Sequence, residues 1–507
     1  MKKINTYIIG FVLLLIGLQG CELETEVFNA IYPDMYPKTE RDVRDLVTSN
    51  AYGGFRNNGY DGIFNVATGV FITSDIATDY GYCSWGGNVW EPLEFGRWVP
   101  QESRNTTKIW EYTNEISKMT LTLNRISGVQ INETLKNRYM AELRCARGFM
   151  AFIIYDMHGP IILADLETLK NPQEEKILSR ISEEETRNFI VTELTEAAQH
   201  LPYSYPKGDT DNGRFTKGLC HMILLKFYMM THQWDKAIAE GRELQKPEYG
   251  YALVTDKGTE ASAYANIFTQ ANEKNEETIW AVNSLTGYQT HLWYPHVLPS
   301  NINTFNGGWG GYKMTWKFFK TFEKGDQRKE TIIHEYMTKD SIVYNEENKG
   351  SGANSLEEGV FPIKYKIEPS NNVGDQCQTD WIVYRYADAI TLLAEAIVRQ
   401  SGNVSQEAIE LLNMVRTRAG LDAYTASSFK NDRDFLDKLL MERAHELYYE
   451  GCRRQDLIRD GSYVEAMRQK CIDYGQTPVI NENYHKFPLP ESIIIEGQRN
   501  IEQNPGY

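Results

Sequence analysis

Several things are missing from this 507-residue chain, and each absence closes off a class of function. There is no CxxC pair. The cysteines beyond Cys21 (Cys83, Cys145, Cys220, Cys377, Cys452 and Cys471) are scattered, which indicates neither a zinc site nor a disulfide framework. Whether Cys452 and Cys471 pair stays open at this level. GxSxG and P-loop patterns are absent, removing the local signatures of a hydrolase nucleophile and of a phosphate cradle. Cations are scarce: 53 Lys and Arg face 69 Asp and Glu, for a formal charge of −16. So acidic a surface repels phosphate backbones and anionic lipid, which argues against nucleic acid and against electrostatic membrane docking. Nor is there an apolar run of about 20 residues, the length a membrane-spanning helix needs.

The longest such run, Ile8 to Leu18, follows a basic Met1-Lys2-Lys3 head and is closed by Leu18-Gln19-Gly20-Cys21. That order of features reads as a secretory signal over residues 1–20. The position of the cysteine resembles a bacterial lipoprotein box, in which Cys21 becomes the lipidated first residue of the mature chain. Diacylglycerol and palmitate-type acyl chains on it would anchor the protein durably, since two or more chains are needed for that. The following Glu22-Leu23-Glu24-Thr25-Glu26 reads as an acidic tether and also resembles the surface-export signal of Bacteroidetes-type lipoproteins.

The body of the chain is dominated by helical periodicity. Thr106 to Ile126 and Glu133 to Asp156 place apolar residues at three- and four-residue intervals, and His158-Gly159-Pro160 stops the second. Ser182-Glu183-Glu184-Glu185 is a capping box opening a helix through Leu201. Thr216 to Thr231 is apolar nearly all round, as a buried helix is, and Gln233 to Gln245 follows it. Ile382 to Arg399, Ser405 to Ala419 and Arg433 to Glu450 are amphipathic. Consecutive helices joined by short connectors predict stacked hairpins of the tetratricopeptide kind, but self-similarity is too poor for a regular array. The expected fold is mainly α: an irregular helix-hairpin scaffold with long aromatic-rich loops and minor β.

Two stretches, 57–98 and 249–374, break the helical pattern and are rich in Gly, Asn, Tyr and Trp; short β-like runs such as Thr278-Ile279-Trp280-Ala281-Val282 appear in them. The chain holds 31 Tyr, 20 Phe and 10 Trp, and the aromatics of these loops are the hardest to assign to packing. Long irregular segments commonly carry function. A sugar ring offers one face of C–H groups, which flat aromatics cover, and an equator of hydroxyls, which Asp, Asn and Gln bond. On that chemistry the candidate glycan-binding residues are Tyr82, Trp85, Asn88 and Trp90 in the first loop, and Tyr288, Trp293, Trp309 and Tyr312 in the second.

Several blocks resemble the SusD/RagB family of outer-membrane nutrient-binding lipoproteins. They are Glu142 to Phe149 running on to Tyr155-Asp156-Met157-His158-Gly159-Pro160-Ile161; Gly213-Arg214-Phe215-Thr216-Lys217-Gly218 with Trp234-Asp235-Lys236-Ala237; Tyr384-Arg385-Tyr386-Ala387-Asp388; Leu412 to Gly420; Glu442 to Arg459; and the terminal Phe487-Pro488-Leu489-Pro490 and Gln503-Asn504-Pro505-Gly506-Tyr507. Residues around Cys145 and Gln455 depart from the usual pattern. The resemblance implies a single domain over 21–507 and a non-catalytic role in polysaccharide utilisation and nutrient uptake. It also implies a partner, a TonB-dependent SusC-like β-barrel transporter, on which members sit as a lid. Asp75 lies where relatives often carry an acidic residue near the ligand. No cofactor or metal is implied. Two alternatives stay open, a peptide- or protein-binding relative and a helical glycoside hydrolase.

The matching blocks also have a physical reading. Arg443, Arg453 and Arg454 beside Glu442, Glu446 and Glu450 suit interhelical ion pairs, because the guanidinium fork matches a carboxylate. Glu442-x-x-His445 is half of a di-iron motif but lies within this charged block, and is read as part of an ion-paired helix.

Overall fold

The computed structural model describes residues 36–101, 104–206, 208–285, 287–304, 307–366 and 376–507. The Leu18 to Cys21 box, and with it the lipidation site, lies outside these residues. Described helices begin with α1 (Glu40–Tyr52), opened by a capping box in which Thr39 and Asp42 satisfy each other's backbone N–H. Two short helices, α2 (Val70–Ile76) and α3 (Gly87–Glu94), lie inside the first aromatic loop region. The scaffold continues with α4 (Thr113–Ser127), α5 (Glu133–His158), α6 (Glu183–His200), α7 (Lys217–Met230) and α8 (Trp234–Leu244). After the second loop region it resumes with α9 (Tyr386–Ser401), α10 (Gln406–Arg418), α11 (Asp432–Leu447), α12 (Arg453–Asp460) and α13 (Tyr463–Asp473).

Consecutive helices pack side by side: α4 on α5, α5 on α6, α7 on α8, α8 on α9 and α9 on α10. This is the helix-hairpin stacking expected from the periodicity. The Ser182/Glu185 box opens α6 as read, and α7 is buried over most of its circumference because it lies inside the stack. α5 runs two residues past Asp156 and is stopped by Gly159, whose φ of +82° favours glycine.

One boundary differs from the sequence reading. Residues 382–385 do not begin a helix; Trp381–Arg385 is a strand paired antiparallel with Thr278–Val282. Both faces of this five-residue run are buried, so it lacks the alternation that marks a half-exposed strand. α2 escaped periodicity analysis for the same reason, since all seven of its residues are buried.

The loops do not fold apart from the helices. One apolar core runs through both, from Val43 in α1 through Phe149 and Leu224 to Trp293 and Val360. A buried ionic network fastens them at their seam. Arg385 binds Glu277 at 2.7 Å and Glu450 at 2.7 Å, Arg418 binds Glu277 at 2.9 Å, and Arg328 lies 2.6 Å from Glu442. Glu446 is shared by Arg385, Arg418 and Arg328, whose positive charge holds its carboxyl far below the usual range despite burial. The ion pairs expected of the Glu442–Arg459 block are present, but most of their partners come from distant segments: Arg443 binds Asp388 as well as Asp456 of its own block, Arg453 binds Asp79, and Arg454 binds Asp156. His445 hydrogen-bonds the Thr321 hydroxyl at 2.7 Å.

All six described cysteines are free and buried. Cys452 lies against Asp388 and Lys226, whereas Cys471 lies against the Phe95 carbonyl, so the two do not pair.

Candidate functional site

The two aromatic loop regions meet in a small antiparallel ribbon. Its strands, here β1 (Gly81–Cys83) and β3 (Tyr312–Met314), pair in the register Gly81↔Met314, Tyr82↔Lys313 and Cys83↔Tyr312; β2 is the Thr278–Val282 strand. The pairing is extended by Ser84 N–H to Gly311 O and by Thr315 N–H to Tyr80 O. Residues more than 200 positions apart in the chain are thereby brought side by side.

Where the ribbon ends, the rings gather. Trp85 lies 5.7 Å from Trp90, 5.4 Å from His296, 6.3 Å from Trp309 and 5.5 Å from Tyr312, measured between ring centroids. Its indole N–H donates to the Trp309 carbonyl at 3.1 Å. Trp309 in turn is fixed by its own N–H on Pro295 O and by a ring contact of 4.8 Å with His296. Glycine makes this closeness possible: a Cβ on Gly311 would stand 2.3 Å from the Trp85 ring, and one on Gly308 would stand 2.2 Å from Leu298 O. Trp85 and Trp309 stay half-buried, their planes inclined by 52°.

The other candidates divide. Asn88 is exposed in the first turn of α3, and Tyr82 is half-buried, stacked on Tyr474 at 5.0 Å. Tyr288 is 83% exposed on the turn closed by Leu285 and Gln289, and among the described residues it has no ring contact with the Trp85 cluster. That turn borders a separate cleft of about 570 Å³ whose walls include Tyr52, Arg214, Trp280, Asn283 and Gln289.

Direct ligand contact, expected of Asp75, Trp293 and Tyr312, does not fit their placement: each is 0% exposed. Trp293 packs among Tyr312, Tyr365, Trp381 and Tyr449 and donates its indole N–H to Ile363 O at 2.7 Å. Tyr312 sends its hydroxyl to Val66 O at 2.7 Å, beneath Trp85. Trp90, 7% exposed, is nearly as enclosed. Asp75 is an internal strut, accepting from the Tyr80 hydroxyl and the Gly451 N–H at 2.7 Å each; burial pushes its carboxyl up to about 7. These residues support the platform from below because their loops fold back onto the scaffold.

Other polar residues border the ribbon. Glu358 accepts from the Ser84 hydroxyl at 3.1 Å and from Lys313 at 2.5 Å, and its backbone carbonyl receives the Tyr474 hydroxyl. Glu94, which burial pushes up to about 8, is turned inward and accepts from Cys83 N–H at 2.6 Å. Glu358, Tyr474 and His296 had no local motif to reveal them; only the pairing of distant segments brings them here. The assembled site is a partly exposed aromatic surface edged by a hydrogen-bonding carboxylate and serine, a combination suited to a ligand with apolar faces and hydroxyl edges.

The architecture is that of a helix-hairpin scaffold carrying a loop-built aromatic site. Comparison with known proteins shows what it resembles. Residues 325–507 match the SusD family. The chain is 24% identical over 552 residues to SusD-like protein P25 of Formosa agariphila, covering 95% of each, and 23% identical over 502 residues to the starch-binding protein SusD of Bacteroides thetaiotaomicron, covering 86% of this chain and 85% of that one. Among solved structures it superposes on surface glycan-binding protein A from Bacteroides thetaiotaomicron in complex with laminarihexaose, with a TM-score of 0.73 and 20% identity, over 92% of this chain and all of the other. The family match and these relatives together support a place for the chain in the SusD/RagB-like family.

Proposed function

We propose that this chain is a cell-surface glycan-binding lipoprotein that captures oligosaccharides without altering them and delivers them to a TonB-dependent β-barrel transporter of the outer membrane. The observation that carries the reading is the pair of half-buried, mutually inclined indoles, Trp85 and Trp309, held in glycine-rich loops beside Ser84 and Glu358. The starch-binding and laminarihexaose-bound relatives favour a glycan over other ligands with the same mixture of faces. No helix among the described residues is long and apolar enough to cross a membrane, which agrees with anchoring through lipid on Cys21 and through the transporter. The acidic balance of the chain favours neutral glycans over uronic-acid-rich or sulfated ones.

Isothermal calorimetry against neutral oligosaccharides of several linkages, polyanionic glycans and peptides tests the reading, with an assay for newly released reducing ends alongside. Binding of a neutral oligosaccharide without release of ends is the expected result. Binding of peptides alone, or hydrolysis of the glycan, would overturn it.

A further inference from the structure

The ribbon strand β1 has a neighbour on one side only, and the polar groups along its other edge are met in an unusual way. Because Ser84 and Tyr80 bond toward β3, the pairs facing β3 are Tyr80, Tyr82 and Ser84. Gly81 C=O and Cys83 N–H therefore point outward. No third strand receives them. Cys83 N–H donates to a Glu94 carboxyl oxygen at 2.6 Å, and Gly81 C=O accepts from the Lys470 ammonium at 2.5 Å.

We propose that Lys470 and Glu94 act together as a surrogate strand along β1, and are positioning residues for the ribbon that presents Tyr82 and Trp85. This rests on the glycan-binding reading of the Trp85 site. A single residue of a parallel neighbouring strand would offer the same pair of contacts, its N–H to one carbonyl and its C=O to the N–H two residues on. Here a donor from α13 and an acceptor from the end of α3 supply them.

Lys470 does more than cap the edge. Its three N–H donors go to three backbone carbonyls, Ile76 at 3.0 Å, Thr78 at 2.9 Å and Gly81 at 2.5 Å. The ammonium is thus saturated by main-chain oxygens of the turn that leads from α2 into β1. It makes no salt bridge of 4.0 Å or less among the described residues, although Glu94 and Asp79 are the nearby carboxylates and Asp79 is held by both prongs of Arg453. Both Lys470 and Glu94 are 2% exposed, and burying polar or charged groups is costly unless they are well bonded. The turn is packed close against α2, since a Cβ on Gly81 would stand 2.1 Å from Asp75 O.

The test is hydrogen–deuterium exchange over residues 80–85, read together with oligosaccharide affinity and melting temperature, for Glu94→Gln, Glu94→Leu and Lys470→Met. Glu94→Gln keeps an acceptor for Cys83 N–H and should exchange and bind within about twofold of wild type. Glu94→Leu and Lys470→Met leave buried backbone groups unpaired, and should raise exchange at Cys83 and weaken glycan binding by about tenfold or more while α-helical content is retained. If Lys470→Met does not fold, Glu94→Leu, which removes one contact instead of three, carries the comparison with Glu94→Gln. Unchanged exchange in the leucine variant overturns the positioning role whatever the ligand is. Raised exchange with unchanged affinity also overturns it, leaving a structural clamp only. Wild-type protein that binds no oligosaccharide defeats the functional reading instead, and the exchange data still decide whether the pair holds β1.

Discussion

Trp309 and Trp293 were indistinguishable as candidates in the sequence, both lying in the glycine-rich second loop region, and the structure assigns them opposite fates on mutation. Trp293→Ala removes a fully buried indole with four aromatic neighbours and leaves Ile363 C=O without its donor. Deleting a buried Trp costs about 3–5 kcal/mol, to which an orphaned buried carbonyl adds about 1–3 kcal/mol. Trp309→Ala removes a half-buried ring and keeps the backbone carbonyl that receives the Trp85 N–H, so the scaffold loses little. Its loss falls on the ligand: an indole covering about 40–110 Å² of sugar face contributes about 1–2.8 kcal/mol at about 25 cal/mol/Å². At about 1.4 kcal/mol per factor of ten this is ~5- to 100-fold in affinity. Calorimetric affinity and thermal melting on the same samples separate the two. Trp309→Ala binding as wild type, in a protein that melts normally, would refute the assignment of the platform. Trp293→Ala retaining full stability would refute the assignment of the plug.

Other consequences are as direct. Gly311→Ala should displace the Trp85 ring, because the added methyl would lie 2.3 Å from it; Trp fluorescence should shift and glycan affinity should fall while melting changes modestly. Asp75 is the source of a pH effect. Its carboxyl, raised to about 7 by burial and secondarily by Glu450 against the opposing pull of Tyr80, the Gly451 N–H and Lys364, keeps a proton that the unfolded chain releases near pH 4. Stability from this group is therefore full below about pH 4 and lost as pH rises through about 7, so Asp75→Asn should be less stable overall but show a flatter decline between about pH 4 and 7 in denaturant titrations. Cys21→Ala should appear in the soluble fraction of cells lacking the transporter, because acyl chains supply the membrane affinity; firm membrane association of that variant would count against the anchor.

Much of the fold was legible in the chain. Helices with one apolar face, such as α4, α6 and α8, announce themselves by period because water is on the other side, and Ser182/Glu185 marked a helix start through a local hydrogen-bond exchange. Elements buried all round had no such contrast. By period alone the Trp381–Arg385 strand is continuous with the helix after it, and α2 is indistinguishable from the loop around it.

The candidate site divides along the same line. By itself the sequence determined that glycine-rich loops carry tryptophans in excess, that the charge balance is acidic, and that motif blocks resembling one family run through the chain; all of these are properties of composition and local order. Only the tertiary structure decided which rings face solvent. Trp85 and Trp309 remain reachable because the β1–β3 ribbon ends beneath them, whereas Trp293 and Tyr312 are covered because the same loops fold back over a core built from both loop regions and the scaffold. Lys470 and Glu94 show the limit most plainly. Nothing within several residues of either one marks it, and their shared task exists only where the open edge of β1 meets the ends of two helices. A side chain's chemistry is written locally, but its exposure is set by what other segments leave uncovered.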